Sequence, residues 1–312
     1  MRICVIFNPA ARGDKARRFR RHLDAVGAHS ALKLTAAAGD ARRLAAEAVH
    51  EGFETVVAAG GDGTVNEVLN GIGDVADGFE RARLGVLPLG TVNVFARELA
   101  LPLKFERAWP ILLAAKETRI DLPQVEFGAD GHKQRRYFAQ MAGAGLDARA
   151  VELVHWELKK KVGPLAYVWA GLQALRSPAA QIRVAPGAPA TLQAGLPGNR
   201  AANDAGAPSA LVLIGNGRLY GGNFRIFSKA DPRDGLLEVC VFPRANWGTI
   251  IRCGPSLLLR GCLPGAVAEC FSTPTLTLTS TAPVPFELDG ELIGHLPAQF
   301  SVQRQRLRVV VP

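Results

Sequence analysis

The chain has 312 residues, 48% hydrophobic and 21% charged, which excludes a disordered chain and leaves room for about two domains. No apolar run approaches the roughly 18–20 residues of a membrane span, and the apolar stretch after Met1 is too short for a signal peptide, so a cytoplasmic protein is expected. Lys and Arg exceed Asp and Glu by 37 − 28 = 9, which suits an anionic partner without choosing among nucleotide, nucleic acid and acidic membrane.

Residues 2–8 read as a buried strand, and Phe19, Leu23 and Val26 space a helix over 14–27. A strand at 31–35, a helix over 40–51 starting at Gly39-Asp40, and a buried strand from Glu54 to Ala59 follow. A helix from about Val65 to Ile72, a strand from Leu84 to Leu89 and a helix after Thr91 complete a β-α-β-α order. That order predicts a parallel sheet with helices on both faces.

From about Thr118 the pattern changes. Strands are expected at 118–127, 135–142, 181–185, 210–215, 223–228, 236–242, 275–280, 284–288, 298–302 and 306–311. Helices are expected at 147–175, broken near Gly163-Pro164, and at 246–262. This predicts an antiparallel sandwich or barrel. The stretch 185–209 is dense in Ala, Gly and Pro and reads as an exposed or mobile loop. The expected fold class is therefore an α/β domain over about the first 120 residues, followed by a β-rich antiparallel sandwich domain.

Five cysteines, Cys4, Cys240, Cys253, Cys262 and Cys270, form no C-x-x-C pair and read as reduced buried thiols. The six histidines have no H-x-x-x-H spacing, so a zinc site is not expected. RNP-type aromatic sequence and zinc-finger spacing are also missing, so no nucleic-acid partner is expected.

The strongest chemical signal is Gly60-Gly61-Asp62-Gly63-Thr64, followed by Asn66 and Glu67. A strand running through glycines into a helix brings backbone N–H groups to an anion, and Asp62 is placed to help hold Mg²⁺ beside phosphates. The alternative is a tight strand–helix turn with a capping Asp. Two further strand-end loops have the same character: Asn8-Pro9-Ala10-Ala11-Arg12-Gly13-Asp14-Lys15, and Pro88-Leu89-Gly90-Thr91-Val92-Asn93. Ligands of open α/β sheets bind beyond the carboxyl ends of the strands, so these loops and Thr35 should face one crevice, with Arg12 and Lys15 as charges for phosphates.

These loops resemble the diacylglycerol kinase catalytic family, which includes bacterial lipid kinases and the sphingosine and ceramide kinases. The glycine loop alone is shared with NAD kinases. More discriminating are Met141-Ala-Gly143-Ala-Gly145-Leu-Asp147-Ala, Tyr220-Gly221-Gly222-Asn223-Phe224, Ala230-Asp231-Pro-Arg-Asp234-Gly235-Leu236, and Leu288-Asp289-Gly290-Glu291. The resemblance runs from residue 3 to the end of the chain. Departures are Arg12 between Ala11 and Gly13, Ser228 where many relatives have Pro, and a long 185–209 segment.

The resemblance implies a two-domain lipid kinase using ATP and Mg²⁺, with the last strand returning to the first domain: a nucleotide-binding α/β domain, 1–121 plus about 300–312, and a lipid-substrate β-rich domain, 122–299. ATP would bind through Asn8, Arg12, Lys15, Thr35, Gly60, Gly61, Asp62, Gly63, Thr64, Glu67, Pro88, Gly90, Thr91 and Asn93. Glu291 would be the general base, with Asp289 beside it and Asp62 as the third catalytic group. A second, structural Mg²⁺ would sit at Asp231, Asp234 and Leu236. Read without the resemblance, Asp-Pro-Arg-Asp-Gly is also a β-turn, and Asp289-Gly290 a hairpin turn with a solvated Glu291. Asp121 is either part of a metal–water network or an ordinary interdomain acid.

The implied partners are a lipid alcohol and, transiently, the anionic inner face of a membrane. A soluble kinase of NAD or another small alcohol, and a non-catalytic nucleotide-binding regulator, remain as alternatives. Gly143-Ala-Gly145-Leu-Asp147-Ala148 fits a loose dinucleotide pattern but lies outside the βαβ region. Arg17, Arg18, Arg20 and Arg21 read as the solvated face of a helix. Trp156 with Lys159, Lys160, Lys161, Tyr167 and Trp169 suits either a helix core or a membrane interface.

Overall fold

A computed structural model describes residues 2–9, 19–129, 131–153, 180–187, 191–192, 208–264 and 267–312. The chain forms two compact units. One is Met1–Leu122 with Tyr137–Ala139 and Gln303–Pro312; the other is Pro123–Arg136 with Gln140–Val302.

The first unit is built on parallel strands β1 (Ile3–Phe7), β2 (Ala31–Leu34), β3 (Thr55–Gly60) and β4 (Arg83–Pro88). Their order is β2-β1-β3-β4, and the end of the last strand, β16 (Ala298–Val310), adds beside β4 through Val309 and Leu84. Side chains alternate across a strand, so each strand feeds two cores. Cys4, Ile6, Val56, Ala58, Leu84 and Val86 pack with helices α2 (Asp40–His50) and α3 (Asp62–Gly73). Ile3, Val5, Phe7, Val57, Ala59 and Leu87 pack with α1 (Leu23–Gly27) and α6 (Phe105–Ala114) on the other face. Short helices α4 (Gly78–Arg81) and α5 (Val94–Glu98) flank β4.

The final strand is clipped by charge. Arg308 and Arg83 both reach Glu117, and Arg119 and Arg306 both reach Glu80. The Arg308 contact above all holds the Glu117 carboxyl below the usual carboxylate range.

The second unit is antiparallel. Its larger sheet runs β15 (Glu291–His295), β14 (Pro285–Leu288), β7 (Met141–Gly145), β10 (Leu211–Gly215), β11 (Leu237–Phe242), β12 (Glu269–Thr273) and β9 (Thr191–Leu192). A second group pairs β8 (Ile182–Pro186) with β13 (Thr275–Ser280) and β13 with the start of β16; β5 (Glu117–Ala129) pairs with β6 (His132–Tyr137) and β16. Phe286 stands edge-on to Phe127 and Phe300 in this core. Helix α7 (Leu146–Leu153) follows β7, and α8 (Trp247–Arg260) follows β11.

Several expectations change. The expected helix over 14–27 is described only from residue 19, as a 3₁₀ turn at Arg20–His22 and then α1. Residues 223–228 form no strand; Gly221 and Gly222, both at positive φ, turn the chain so that Tyr220 bridges to Phe224. The two final strands are one, Ala298–Val310. Inside the supposed loop 185–209, Thr191–Leu192 pairs with β12; most of that stretch, much of the expected helix over 147–175 and the Trp156–Trp169 cluster lie outside the described residues. All five cysteines are free. No described helix is long and apolar enough to cross a membrane.

Candidate active site

The parallel register sets the carboxyl ends of the strands level. Phe7 is opposite Leu34 and Ala59, and Gly60 is opposite Pro88. Asn8, Thr35, Gly61 and Leu89 therefore leave the sheet along one edge. Backbone bonds tie them: Asn8 N–H to Ala59 C=O at 3.3 Å, Thr35 N–H to Phe7 C=O at 3.0 Å, and the N–H groups of Leu89 and Gly90 to Gly60 C=O at 2.9 and 3.1 Å.

Two glycine loops touch back to back. A Cβ on Gly90 would lie 2.4 Å from Gly61 Cα, and one on Gly60 would lie 2.3 Å from Thr64 Oγ1. Asn93, in the left-handed region at φ 55°, locks the second loop: its Oδ1 accepts from Gly90 N–H at 2.9 Å and its Nδ2 donates to Gly90 C=O at 2.7 Å. Helix α3 starts at this junction. Its first helical bond is Val65 N–H to Gly61 C=O, and its N-cap residue, Gly61, has no side chain to cap it. The preceding amides point out of the helix end, where the dipole favours an anion. Among the described residues a Cβ on Gly63 would meet nothing within 4 Å, which leaves space beside those amides.

Asp62 Oδ1 accepts the Phe95 N–H at 3.2 Å, which fixes the carboxylate in the loop. Its hard oxygens fit Mg²⁺ chemistry. Glu67 has a structural partner: its Oε2 accepts the Ala41 N–H in the first turn of α2 at 3.0 Å. Thr35, Thr64 and Asn93 are buried, and Thr91 is exposed. Arg12 and Lys15 lie outside the described residues.

Sequence reasoning missed Asn70 and its pairing with Asn66. Asn70 accepts from Tyr137 N–H and donates to Tyr137 C=O, both at 2.9 Å, and Asn66 supports it. Two buried amides four residues apart on an apolar helix face were the available signal. Asp121, fully buried, accepts from Gln305 N–H at 2.7 Å and so holds the last strand.

In the second unit Asp289 and Gly290 form the β14–β15 hairpin turn with φ of 50° and 87°. Positive φ at both central residues selects Asp-Gly. The Asp289 carboxylate turns back onto β7, accepting from the N–H groups of Gln140 and Met141 at 2.9 and 3.0 Å. Glu291 opens β15 and is exposed. The turn thus sends these two carboxylates to different surroundings.

Beneath the turn lies a carboxyl pair: Asp147, which the sequence offered within a family segment, and Glu287, which it did not. Glu287 is fully buried and Asp147 partly so, and a Cβ on Gly143 would strike Asp147 Oδ2 at 2.2 Å and Glu287 Oε1 at 2.9 Å. The Tyr220 hydroxyl donates to Asp147 at 2.5 Å, and Gly290 N–H donates to Glu287 Oε2 at 2.5 Å. Gly143 and Gly145 serve this packing: a Cβ on Gly145 would strike Ala210 C=O at 2.4 Å. The loose dinucleotide pattern here is a strand–helix junction of the antiparallel sheet.

Asp231 and Asp234 shape a turn. Asp231 accepts from Arg233 N–H at 3.2 Å and Asp234 from Leu236 N–H at 2.8 Å. Both are exposed all-oxygen donors, which fits a hard cation, though no group of three potential metal-ligating side chains occurs among the described residues.

Comparisons with known proteins agree along the whole chain. Residues 2–125 match the diacylglycerol kinase catalytic domain, and residues 140–311 match the YegS C-terminal NAD kinase beta sandwich-like domain. Diacylglycerol kinases of two Staphylococcus aureus strains, bovine RF122 / ET3-1 and MRSA252, are each 28% identical over 99% of this chain and 91% of their own. A diacylglycerol kinase structure from Bacillus anthracis superposes with a TM-score of 0.67 at 18% identity, covering 100% of this chain and 97% of its own. Yeast NADH kinase superposes more loosely, with a TM-score of 0.51 at 10% identity over 100% of this chain and 84% of its own. The α/β sheet with its glycine-loop edge and the antiparallel sandwich are the two halves of one kinase family, and the chain belongs to it: the diacylglycerol kinase catalytic-domain family with the NAD kinase-like C-terminal β-sandwich.

Proposed function

We propose that the protein is an ATP-dependent lipid kinase, transferring the γ-phosphate of Mg-ATP to a hydroxyl of a lipid such as diacylglycerol or a sphingoid lipid. The carrying observation is the backbone junction of Gly60–Gly61 with Gly90 at the N-terminus of α3, whose N-cap residue is Gly61. Such a junction suits phosphate, because close backbone approach and outward amides need no side chain. The lipid reading over the NAD reading is supported by the diacylglycerol kinase relatives, which align over both units.

Phosphoryl transfer needs charge compensation, alignment and a proton sink. The α3 amides bind phosphate oxygens, and Asp62, steadied by Phe95 N–H, is the carboxylate available to Mg²⁺. When bound, Mg²⁺ neutralises phosphate charge. Arg12 and Lys15 are assigned to phosphate as charges. Glu291, exposed on the hairpin, is assigned to accept the proton of the acceptor hydroxyl. Asp289, whose carboxylate bonds to β7, acts as a positioning residue for that turn. Asp231, Asp234 and the Leu236 carbonyl are assigned to a second, structural Mg²⁺, which raises the thermal midpoint when added to metal-stripped protein. Membrane contact is peripheral and transient.

The reading is tested by ATP consumption with and without detergent-dispersed lipid alcohol. Consumption that rises only with lipid supports it. Consumption that is indifferent to every lipid and rises with NAD overturns it.

A further inference from the structure

Helix α8 is apolar on two faces. Inward, Cys253 is buried and Leu257 packs against the core of the second unit. Outward, Trp247, Ile251 and Leu259 are 53%, 69% and 85% exposed, with exposed Pro255 between them. These positions recur every four residues, which draws one stripe along the helix. Among the described residues five large apolar side chains are exposed, and three of them are on this helix.

The charge around the stripe has one sign. Arg244 precedes the helix, Arg252 borders the stripe and Arg260 ends it, and all three are exposed. No Asp or Glu occurs from Val239 to Ala268. The helix is also fixed in place: Asn246 caps it through Thr249 N–H at 3.0 Å, and Arg225 N–H bonds Gly261 C=O at 2.5 Å just past its end. A core helix would bury its outer face, and a solvated one would be polar there. Apolar residues beside arginines, with a Trp at one end, match the interface of an anionic bilayer, whose acyl boundary takes the apolar face and whose headgroups take the cations.

We propose that the exposed face of α8 is the surface by which this protein docks onto an anionic lipid bilayer. The proposal rests on the lipid-kinase reading for its choice of a bilayer over a protein partner. It gives the net charge of +9 a location: part of it stands beside an apolar stripe instead of being spread over the surface.

The test is sedimentation of the full chain with phosphatidylcholine vesicles, with and without phosphatidylglycerol, at low salt and without ATP. The parent binds the anionic vesicles. Ile251→Asp/Leu259→Asp and Arg252→Glu each weaken that binding, the apolar pair by at least about tenfold, while thermal midpoints hold because these side chains are exposed. Arg43→Glu, on α2 in the other unit, removes equal charge and binds like the parent or nearly so. Turnover on a short-chain, water-soluble lipid alcohol is read in parallel and stays at the parent level in the α8 variants. Helix-dependent vesicle binding by a parent that phosphorylates no lipid sinks the kinase reading and leaves the docking surface standing. Unchanged binding in the α8 variants overturns the surface. So does an equal loss with Arg43→Glu, or a lipid-free dimer that Ile251→Asp/Leu259→Asp makes monomeric, since the face would then belong to a second copy.

Discussion

Asp147 and Glu287 bury two carboxyl groups against the same glycine, with one hydrogen-bond donor given to each from Tyr220 and Gly290. Burial pushes both upward from the usual carboxylate range, and Glu287 further, because the Asp147 and Asp289 charges add to it. Two such groups titrate as a coupled pair, in which Glu287, pushed further up, keeps its proton longer.

The sign of the pH effect follows. The folded-state pKa of Glu287 is raised, so its contribution to stability is complete below the unfolded value and is lost as pH rises through the folded one. Gln at 287 carries no titrating proton and keeps an oxygen to accept from Gly290. Thermal melts of the parent should therefore fall as pH rises above the ordinary carboxylate range through the folded-state pKa of Glu287, and those of Glu287→Gln should fall less. Parallel curves would show that Glu287 does not titrate over the range melted.

Asp289 is expected to act through backbone. Removing its carboxylate leaves the N–H groups of Gln140 and Met141 without that acceptor, so Asp289→Ala should cost about 1–3 kcal/mol in denaturant unfolding. Asn tolerates the left-handed region and keeps an acceptor oxygen, so Asp289→Asn should recover most of the loss. No recovery would mean that the negative charge, not the bond, matters.

Glu291→Gln should leave melting and ATP binding at parent values and lower turnover by at least about 100-fold, the scale of general base catalysis. Near-parent turnover would remove Glu291 from its role.

Gly90→Ala tests the loop junction. The new methyl meets Gly61 Cα, a backbone atom with little room to yield, so stability should fall by about 1–3 kcal/mol and ATP should bind more weakly. Parent-level ATP affinity by calorimetry would place the nucleotide elsewhere.

The first unit was legible because β1, β3 and β4 are short and almost wholly buried, and its helices show clean spacing: the expected Glu54–Ala59 strand and 40–51 helix match β3 and α2 closely. The glycine loops were legible because close backbone approach admits few other residues. What stayed hidden was tertiary. Glu67 reads as a ligand beside a phosphate loop, yet its carboxylate caps α2, a partner 26 residues away. Glu287 reads as an ordinary strand residue; only the pairing of β14 with β7 sets it over Gly143. Residues 223–228 alternate like a strand, but the paired glycines at 221 and 222 turn the chain instead. The α8 stripe was hidden for the same reason: periodicity locates an apolar face without saying which faces the core covers.

The central claim meets its most direct test in transfer of labelled γ-phosphate from Mg-ATP to dispersed diacylglycerol, sphingoid base, ceramide and phosphatidylglycerol, with NAD as a parallel acceptor. The account predicts label in one lipid class, absent with Glu291→Gln. Label in NAD alone, with every lipid blank, would contradict it.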